Sequence, residues 1–423
     1  GHDVICVDTD IGKIDKINNG IPPIYEKGLE EILKKNVGKS LLATTDLTQA
    51  VLDTDVSLIA VGTPFDGEDI DLSYVRIVAR QIGEALRRKD SYHTVVVKST
   101  VVPGTTDEVV LPILEQASGK KAGIGFGVGM NPEFLKEGEA IQDFMYPDRI
   151  VYGGIDDKSI AVLRQVYEVF DGVDQLATNC RTAEMIKYAA NSLLANMISF
   201  SNEIANLCSA IGGIDVVEVT RGVHLDKRLS PILADGTRIT PSFTTYIEAG
   251  CGFGGSCFPK DVKALVAYGR QKGNPMPILE SVLAVNERQP ARLISLLKEH
   301  FPDLNGIKVA VLGYAFKPGT DDIRESPALF VTEELLKQGA LVNGFDPIAQ
   351  SEAQKRFGED AVNFCPDLAT AIDGADAIVI VTRWAEFEEV PDLIADVEPQ
   401  PIVIDGRRML DKDSVKTYRG VGL

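Results

Sequence analysis

Asp3-Val4-Ile5-Cys6-Val7-Asp8 is the stretch from which the fold is read. A short apolar run that closes on an acid reads as a buried parallel strand. In a doubly wound α/β sheet, an acid at the end of the second strand holds the adenosine ribose hydroxyls of a dinucleotide, and Asp8 fits that place. The same fold needs a first strand and a Gly-rich turn about 20 residues earlier. Neither lies within the 423 residues. The expectation is a truncated chain, or an ordered segment that precedes Gly1.

Working outward, strands and helices alternate. Val56 to Val61 is an apolar run ending in Gly62-Thr63-Pro64, and Leu72 to Leu86 has helical periodicity. Thr94-Val95-Val96-Val97 is another buried strand, followed by Lys98-Ser99-Thr100. Asp107 to Leu114 reads as helix, and Gly123 to Val128 as a strand leading into Asn131-Pro132-Glu133. This alternation predicts a doubly wound domain with ligands beyond the carboxyl ends of the strands. Thr63, Thr100 and the run from Glu133 to Glu137 fall just past such ends.

From Thr182 to Ile211 the apolar residues recur at the helical period. Thr182 reads as the cap, and Gly212-Gly213 as the stop. Such a helix is roughly 45 Å long at 1.5 Å per residue, long enough to join two domains. Lys187 and Asn191 share one of its faces. By residue type alone, that pair reads as a solvated polar stripe. Arg228 to Tyr246 has the composition of a loop.

Lys308 to Gly313 opens a second βαβ series, with Ser326-Pro327 as a helix start and Gly339 after its end. Leu341 to Asp346 repeats the strand-to-acid ending seen at Asp8. The fold class is therefore α/β, with two Rossmann-like doubly wound domains joined by a central helical domain and a long connecting helix. The expected boundaries are 1–181, 182–290 and 291–423.

The formal charge of −19 argues against nucleic acid or an anionic membrane as a partner. No apolar run reaches the ~18 residues that span a bilayer. Six scattered cysteines and four histidines give no zinc spacing, so no metal is expected and the setting reads as reduced and cytoplasmic.

The chemistry gathers in Gly252-Phe253-Gly254-Gly255-Ser256-Cys257-Phe258-Pro259-Lys260-Asp261-Val262-Lys263. Glycines allow a backbone to press against a neighbour. Pro259 suits the first turn of a helix. Cys257 would then lie at a helix N-terminus beside Lys260, and both features stabilise a thiolate. Asp261 could orient a partner or activate water. The plain alternative is a tight turn with a small buried Cys.

This stretch resembles the active-site motif of the UDP-glucose/GDP-mannose dehydrogenase family, the nucleotide-sugar 6-dehydrogenases. The resemblance continues in Lys98-Ser99-Thr100, in Asn131 to Glu137, in Ala183 to Asn191 and in Phe316 to Ser326, in the family's order. It implies an NAD-dependent four-electron oxidation of a nucleotide-sugar 6-hydroxyl to the uronic acid. A thiohemiacetal and then a thioester would form on Cys257. By the same resemblance the catalytic residues are Cys257, Lys187, Asn191, Asp261, Thr100 and Glu137. The cofactor contacts are Asp8, Lys13, Thr63, Thr100, Glu137, Lys260 and Arg324. The substrate contacts are Glu133, Phe134, Leu135, Lys136, Glu137, Lys187, Asn191, Tyr246, Gly250, Gly254 and Lys317.

Gly138-Glu139-Ala140 with Tyr146-Pro147-Asp148-Arg149 resembles the branch that converts UDP-glucose to UDP-glucuronate. Ser118 to Gly123 with Phe126 to Gly129 resembles the GDP-mannose branch, which is the alternative. A non-catalytic nucleotide-sugar binder is the reading from another class, opposed by Cys257, Lys187, Asn191 and Asp261. The long apolar-striped helix leads us to expect a homodimer.

Overall fold

The computed structural model describes residues 1–358 and 360–423. The chain divides into two compact units, 1–190 with 263–273, and 191–262 with 274–423.

In the first unit, β1 (Val4–Val7) pairs in parallel with β2 (Leu41–Thr44) as a two-stranded sheet. A second sheet runs β3-β4-β5-β6-β7, with β3 Val56–Ile59, β4 Thr94–Val97, β5 Gly127–Met130, β6 Ile150–Gly154 and β7 Gln175–Thr178. All its pairings are parallel except β5 with β6. The alternation of apolar strands and helices foretold the parallel part. Val95, Val97, Val128 and Met130 pack against Ile82, Leu86 and Leu114 in one core. Strands buried on both faces carry such continuous apolar runs.

Three local readings are corrected. The segment Asp107 to Leu114 starts as a π-turn, Thr106–Val110, and becomes α-helix only from Leu111. The strand expected at Gly123 to Val128 is Gly127–Met130, because Gly123 and Gly125 are held in a turn by Phe126 and Lys121. The long helix begins at Cys180, not Thr182. Asn179 caps it, its side-chain oxygen accepting from the Thr182 N–H at 2.8 Å.

In the second unit, a parallel sheet runs β10-β9-β8-β11-β12-β13. The strands are β8 Lys308–Leu312, β9 Leu341–Phe345, β10 Asn363–Phe364, β11 Ala377–Ile380, β12 Ile402–Asp405 and β13 Tyr418–Gly420. Ser326 caps the helix Pro327–Lys337 through the Ala328 N–H, with Pro327 in its first turn. One core joins Ala205, Val216 and Cys251 to Val309, Val311 and Ile404. The helical residues after Asn191 and this six-stranded sheet thus share buried surface. Arg228 to Tyr246 is irregular apart from a bridge between Ile232 and Arg238 and a 3-10 turn from Ser242.

Candidate functional site

The candidates of the first unit cluster at strand ends. Asp8 follows β1, half-buried, and accepts from the Asp10 N–H at 2.9 Å and from Lys13 Nζ at 3.4 Å. The Asp10 N–H and the Lys13 charge hold its carboxyl below the usual range. Beyond β3, the buried Thr63 hydroxyl donates to the Thr100 carbonyl at 2.8 Å. Beyond β5, Glu133 pairs with Lys187 at 2.9 Å and accepts from the Leu135 N–H at 2.7 Å.

Lys187 is 3% exposed, so the solvated-stripe reading fails for it. A buried ammonium needs a partner. It has the Glu133 carboxylate, and its Nζ stands 5.4 Å from the centre of the Phe134 ring. Arg149 covers that ring at 4.0 Å. Lys136 is turned to Glu139 and Asp143, at 2.8 and 3.3 Å. Leu135 and Glu137 are half-buried in the same segment.

The second unit holds the cysteine motif. Gly252 and Gly255 have φ of +101° and +80°, which L side chains rarely adopt. A Cβ on Gly254 would stand 2.3 Å from the Glu325 carbonyl oxygen, and one on Gly255 would meet the Phe316 ring at 2.8 Å. The Gly255 N–H donates to the Arg324 carbonyl at 2.8 Å. The glycines are therefore the surface on which the 316–326 loop lies. Cys257 directly precedes the helix Phe258–Gln271, and the Asp261 N–H closes onto its carbonyl at 2.9 Å. The Ser256 hydroxyl is 3.6 Å from its sulfur.

Asp261 is 1% exposed and uses both oxygens. Asn191 Nδ2 donates to one at 2.6 Å, and Lys260 Nζ to the other at 2.6 Å. The structure thus joins Asn191, Lys260 and Asp261 directly. Gly250 is fixed from both sides, its N–H on Asn202 at 2.8 Å and its carbonyl on Gln289 at 2.8 Å. The Tyr246 ring centre lies 6.2 Å from that of Phe258. Lys317 is half-buried in the loop after β8. Arg324 forms a bidentate pair with Asp322, at 2.8 Å on each arm.

Sequence reasoning missed several supporting residues. Asn286 holds the glycine turn as a strand would, accepting from the Phe253 N–H at 2.8 Å and donating to its carbonyl at 3.0 Å. Lys98, at the end of β4, donates to Asn131 at 2.9 Å, and burial pushes its ammonium down to about 8 against the pull of Glu133. A Lys closing a buried strand was the available signal for it. Nothing in the pattern marked Asn286, a polar residue in an ordinary amphipathic helix.

Asp346 corrects an analogy. It ends β9 as Asp8 ends β1, but it is 2% exposed and saturated by the N–H groups of Tyr314, Ala315, Ile348 and Ala349 and by Trp384 Nε1. Its carboxylate is structural.

Comparison with known proteins extends these observations. Residues 1–171 match the NAD binding domain of the UDP-glucose/GDP-mannose dehydrogenase family, residues 181–288 its central domain and residues 310–412 its UDP binding domain. A UDP-glucose 6-dehydrogenase of Haloferax volcanii is 42% identical over 426 residues, covering 100% of this chain and 95% of that protein. One of Bacillus subtilis is 39% identical over 429 residues, covering 100% of this chain and 88% of its own. The solved UDP-glucose dehydrogenase of Pyrobaculum islandicum superposes with a TM-score of 0.89 at 40% identity, covering 100% of this chain and 92% of that one.

The residues present fit NAD at its adenosine end. Asp8 has one N–H and one ammonium on its two oxygens, which leaves lone pairs for ribose hydroxyls. A cluster of His, Cys, Asp and Glu able to hold a metal is absent among the described residues. No described helix is long and apolar enough to cross a membrane. With NAD as its cofactor and all three domain models matched in order, the chain belongs to the UDP-glucose/GDP-mannose dehydrogenase family.

Proposed function

We propose that this chain oxidises the 6-hydroxyl of UDP-glucose to the carboxylate of UDP-glucuronate. The observation that carries the mechanism is Cys257 at the start of the helix Phe258–Gln271, behind a glycine turn seated on Phe316 and Glu325. A helix N-terminus favours the thiolate. The relatives that match the full chain support UDP-glucose among the family's substrates.

Per sugar, one alcohol and one water give one carboxylate, with two hydrides and three protons released. NAD supplies the hydride acceptor for both oxidations, two molecules per sugar. The first oxidation leaves an aldehyde at C6. Cys257 Sγ then bonds to that carbon as a thiohemiacetal, which keeps a C–H bond available for the second oxidation. The resulting thioester loses its C–S bond to water, which returns the thiol. Lys187 stabilises the oxyanions of this sequence from a dry environment, where its charge acts most strongly. Asn191 adds a neutral donor. Asp261 gives both its oxygens to Asn191 and Lys260, which supports a role in aiming the amide. Thr100 and Glu137 then stand as the candidates for directing water. Asp8, Lys13, Thr63, Lys260 and Arg324 belong to the cofactor in this reading. Glu133 to Lys136, Tyr246, Gly250, Gly254 and Lys317 belong to the sugar nucleotide. The domain boundaries 1–181, 182–290 and 291–423 and a reduced, cytoplasmic setting, which keeps Cys257 a thiol, complete it.

The reading includes a homodimer. Leu193, Phe200, Leu207 and Ile211 on the long helix are 60%, 55%, 56% and 62% exposed. The first three are seven residues apart, a spacing that makes one stripe. Burying such side chains is worth about 1.5–3 kcal/mol each. Phe200→Glu should lower the mass seen by light scattering; a monomeric wild type at micromolar concentration would refute the dimer.

The activity is tested by NADH absorbance with NAD and each of UDP-glucose, GDP-mannose and UDP-N-acetylmannosamine. UDP-glucose should give two NADH per sugar. Cys257→Ala should abolish steady turnover while sugar-nucleotide binding survives. Turnover at near wild-type rate in Cys257→Ala would end the covalent mechanism.

A further inference from the structure

We propose that Glu184 is a positioning residue, whose buried carboxylate locks the loop from Lys98 to Thr106 onto the long helix and so holds Thr100 in register with Lys187. Glu184 is fully buried. Its carboxylate accepts the Gly104 N–H at 2.6 Å, the Thr106 N–H at 2.9 Å and the Thr106 hydroxyl at 2.7 Å. These donors are neutral, so the charge is balanced by dipoles alone. Lys187 lies three residues further along the same helix, so Glu184 and Lys187 are neighbours on its surface.

A carboxylate is an expensive way to fill a core position. What it contributes is geometry. Gly104 has a φ of +93°, a turn conformation that L side chains rarely adopt, and its N–H is held by Glu184. Other contacts fix the remainder of the loop. The Thr63 hydroxyl holds the Thr100 carbonyl, the Ser99 hydroxyl donates to the Val61 carbonyl at 2.7 Å, and Tyr268 donates to the Pro103 carbonyl at 2.6 Å. The Glu184 bonds tie this assembly to the element that carries Lys187.

The arrangement is sensitive to the charge on Glu184. As a carboxylate it accepts all three bonds. Once protonated, one oxygen becomes a donor facing another donor. Burial pushes its carboxyl up to about 7, with Asp107 adding to the rise and the Thr106 and Gly104 donors opposing it. The other charged and titratable groups here are Cys180 and Arg181 on the same helix and Glu108 on the π-turn; Arg181 binds Asp107 at 3.0 Å and Glu108 at 2.9 Å. Tyr268 faces the loop from the helix Phe258–Gln271. The lock therefore loosens as pH falls through about 7.

The inference rests on the reading that Thr100 and Lys187 serve one reaction. Glu184→Gln places an amide donor against a loop N–H and imitates the protonated state at every pH. We expect kcat to fall about 10- to 100-fold, the scale of an ångström-sized misplacement. The Michaelis constants for NAD and the sugar nucleotide should stay within about threefold. The acid limb of kcat near pH 7 should flatten. Thr106→Val removes one donor and should act in the same direction, with no further loss in the double variant. Independently of activity, the Gly104 and Thr106 amides of the wild type should lose hydrogen-exchange protection below pH 7, after correction for intrinsic rates, and Glu184→Gln should lack it throughout. A Glu184→Gln enzyme within twofold of wild-type kcat with an unchanged acid limb overturns the inference. So does a parallel rise of both Michaelis constants with a lowered melting point, the sign of a merely structural residue. A wild type that reduces no NAD with any nucleotide sugar overturns the functional reading and this inference with it.

Discussion

Asn191 and Asp261, seventy positions apart in the chain, meet at 2.6 Å through Nδ2 and Oδ2. The second Asp261 oxygen holds Lys260 at the same distance. The amide of Asn191 therefore has one fixed orientation, with its carbonyl oxygen and its second N–H available elsewhere. A preoriented donor needs no reorganisation when charge develops on a substrate oxygen.

Asp261→Asn should disturb this clamp without removing volume. The Asn191 donor would compete with a second amide, and Lys260 would lose its counter-charge. The expected fall in kcat is about 10²–10³-fold, the cost of removing one oxyanion donor. Stopped-flow measurement of NADH formation separates chemistry from release. A single-turnover rate within twofold of wild type would show that the clamp is not used in catalysis.

Lys317 and Arg324 should divide the phosphates between the two ligands. Both lie in the loop after β8 of a strongly acidic chain, and Arg324 is held in shape by Asp322. Losing a charge-assisted hydrogen bond costs about 1.5–3 kcal/mol, or roughly ten- to a hundredfold in affinity. Lys317→Ala should raise the Michaelis constant of the sugar nucleotide, and Arg324→Ala that of NAD. If both variants change only the sugar constant, the division is wrong; if neither constant moves, these are surface charges.

Gly255→Ala should be costly for two separate reasons. Its φ of +80° disfavours any L residue by about 1–2 kcal/mol. Its Cβ would also stand 2.8 Å from the Phe316 ring, and overpacking of that kind costs about 1–3 kcal/mol. Denaturant titration should show a loss of about 2–5 kcal/mol, the sum of those two ranges. A variant as stable as wild type would mean that the 316–326 loop yields freely.

His93 should make the first unit acid-sensitive. Its ring is fully buried, with one nitrogen 2.8 Å from the Ser57 hydroxyl and the other 2.9 Å from the Thr54 carbonyl. Burial pushes it down to about 4 from an ordinary 6.5. Between those values the unfolded chain binds the extra proton, so stability falls as pH drops from 6.5 toward 4. The full effect is about 3 kcal/mol at 1.36 kcal/mol per pKa unit. Glu184 opposes it, because its raised pKa makes stability fall as pH rises from 4.5 to about 7. Comparing His93→Gln with wild type isolates the histidine. The two unfolding free energies should converge as pH falls from 6.5 to 4, and parallel curves would contradict this.

The sequence by itself determined the order of the elements and the chemistry on offer. Runs such as Thr94–Val97 and Lys308–Leu312 read as strands, and the cysteine stretch with its glycines and Pro259 as a tight turn into a helix. These are local properties, written in side-chain type and spacing. What the tertiary structure decided is which polar groups share a partner. Asp8 and Asp346 close their strands alike, yet the folded chain leaves one carboxylate half-open and encloses the other among five donors. Lys187 looked like solvated surface until Glu133 and Phe134 were folded over it. Asn191 and Asp261, Asn286 and Phe253, and Glu184 and Thr106 meet across gaps of 70, 33 and 78 residues. Burial and pairing at such separations depend on how elements pack, and no periodicity within one element records that.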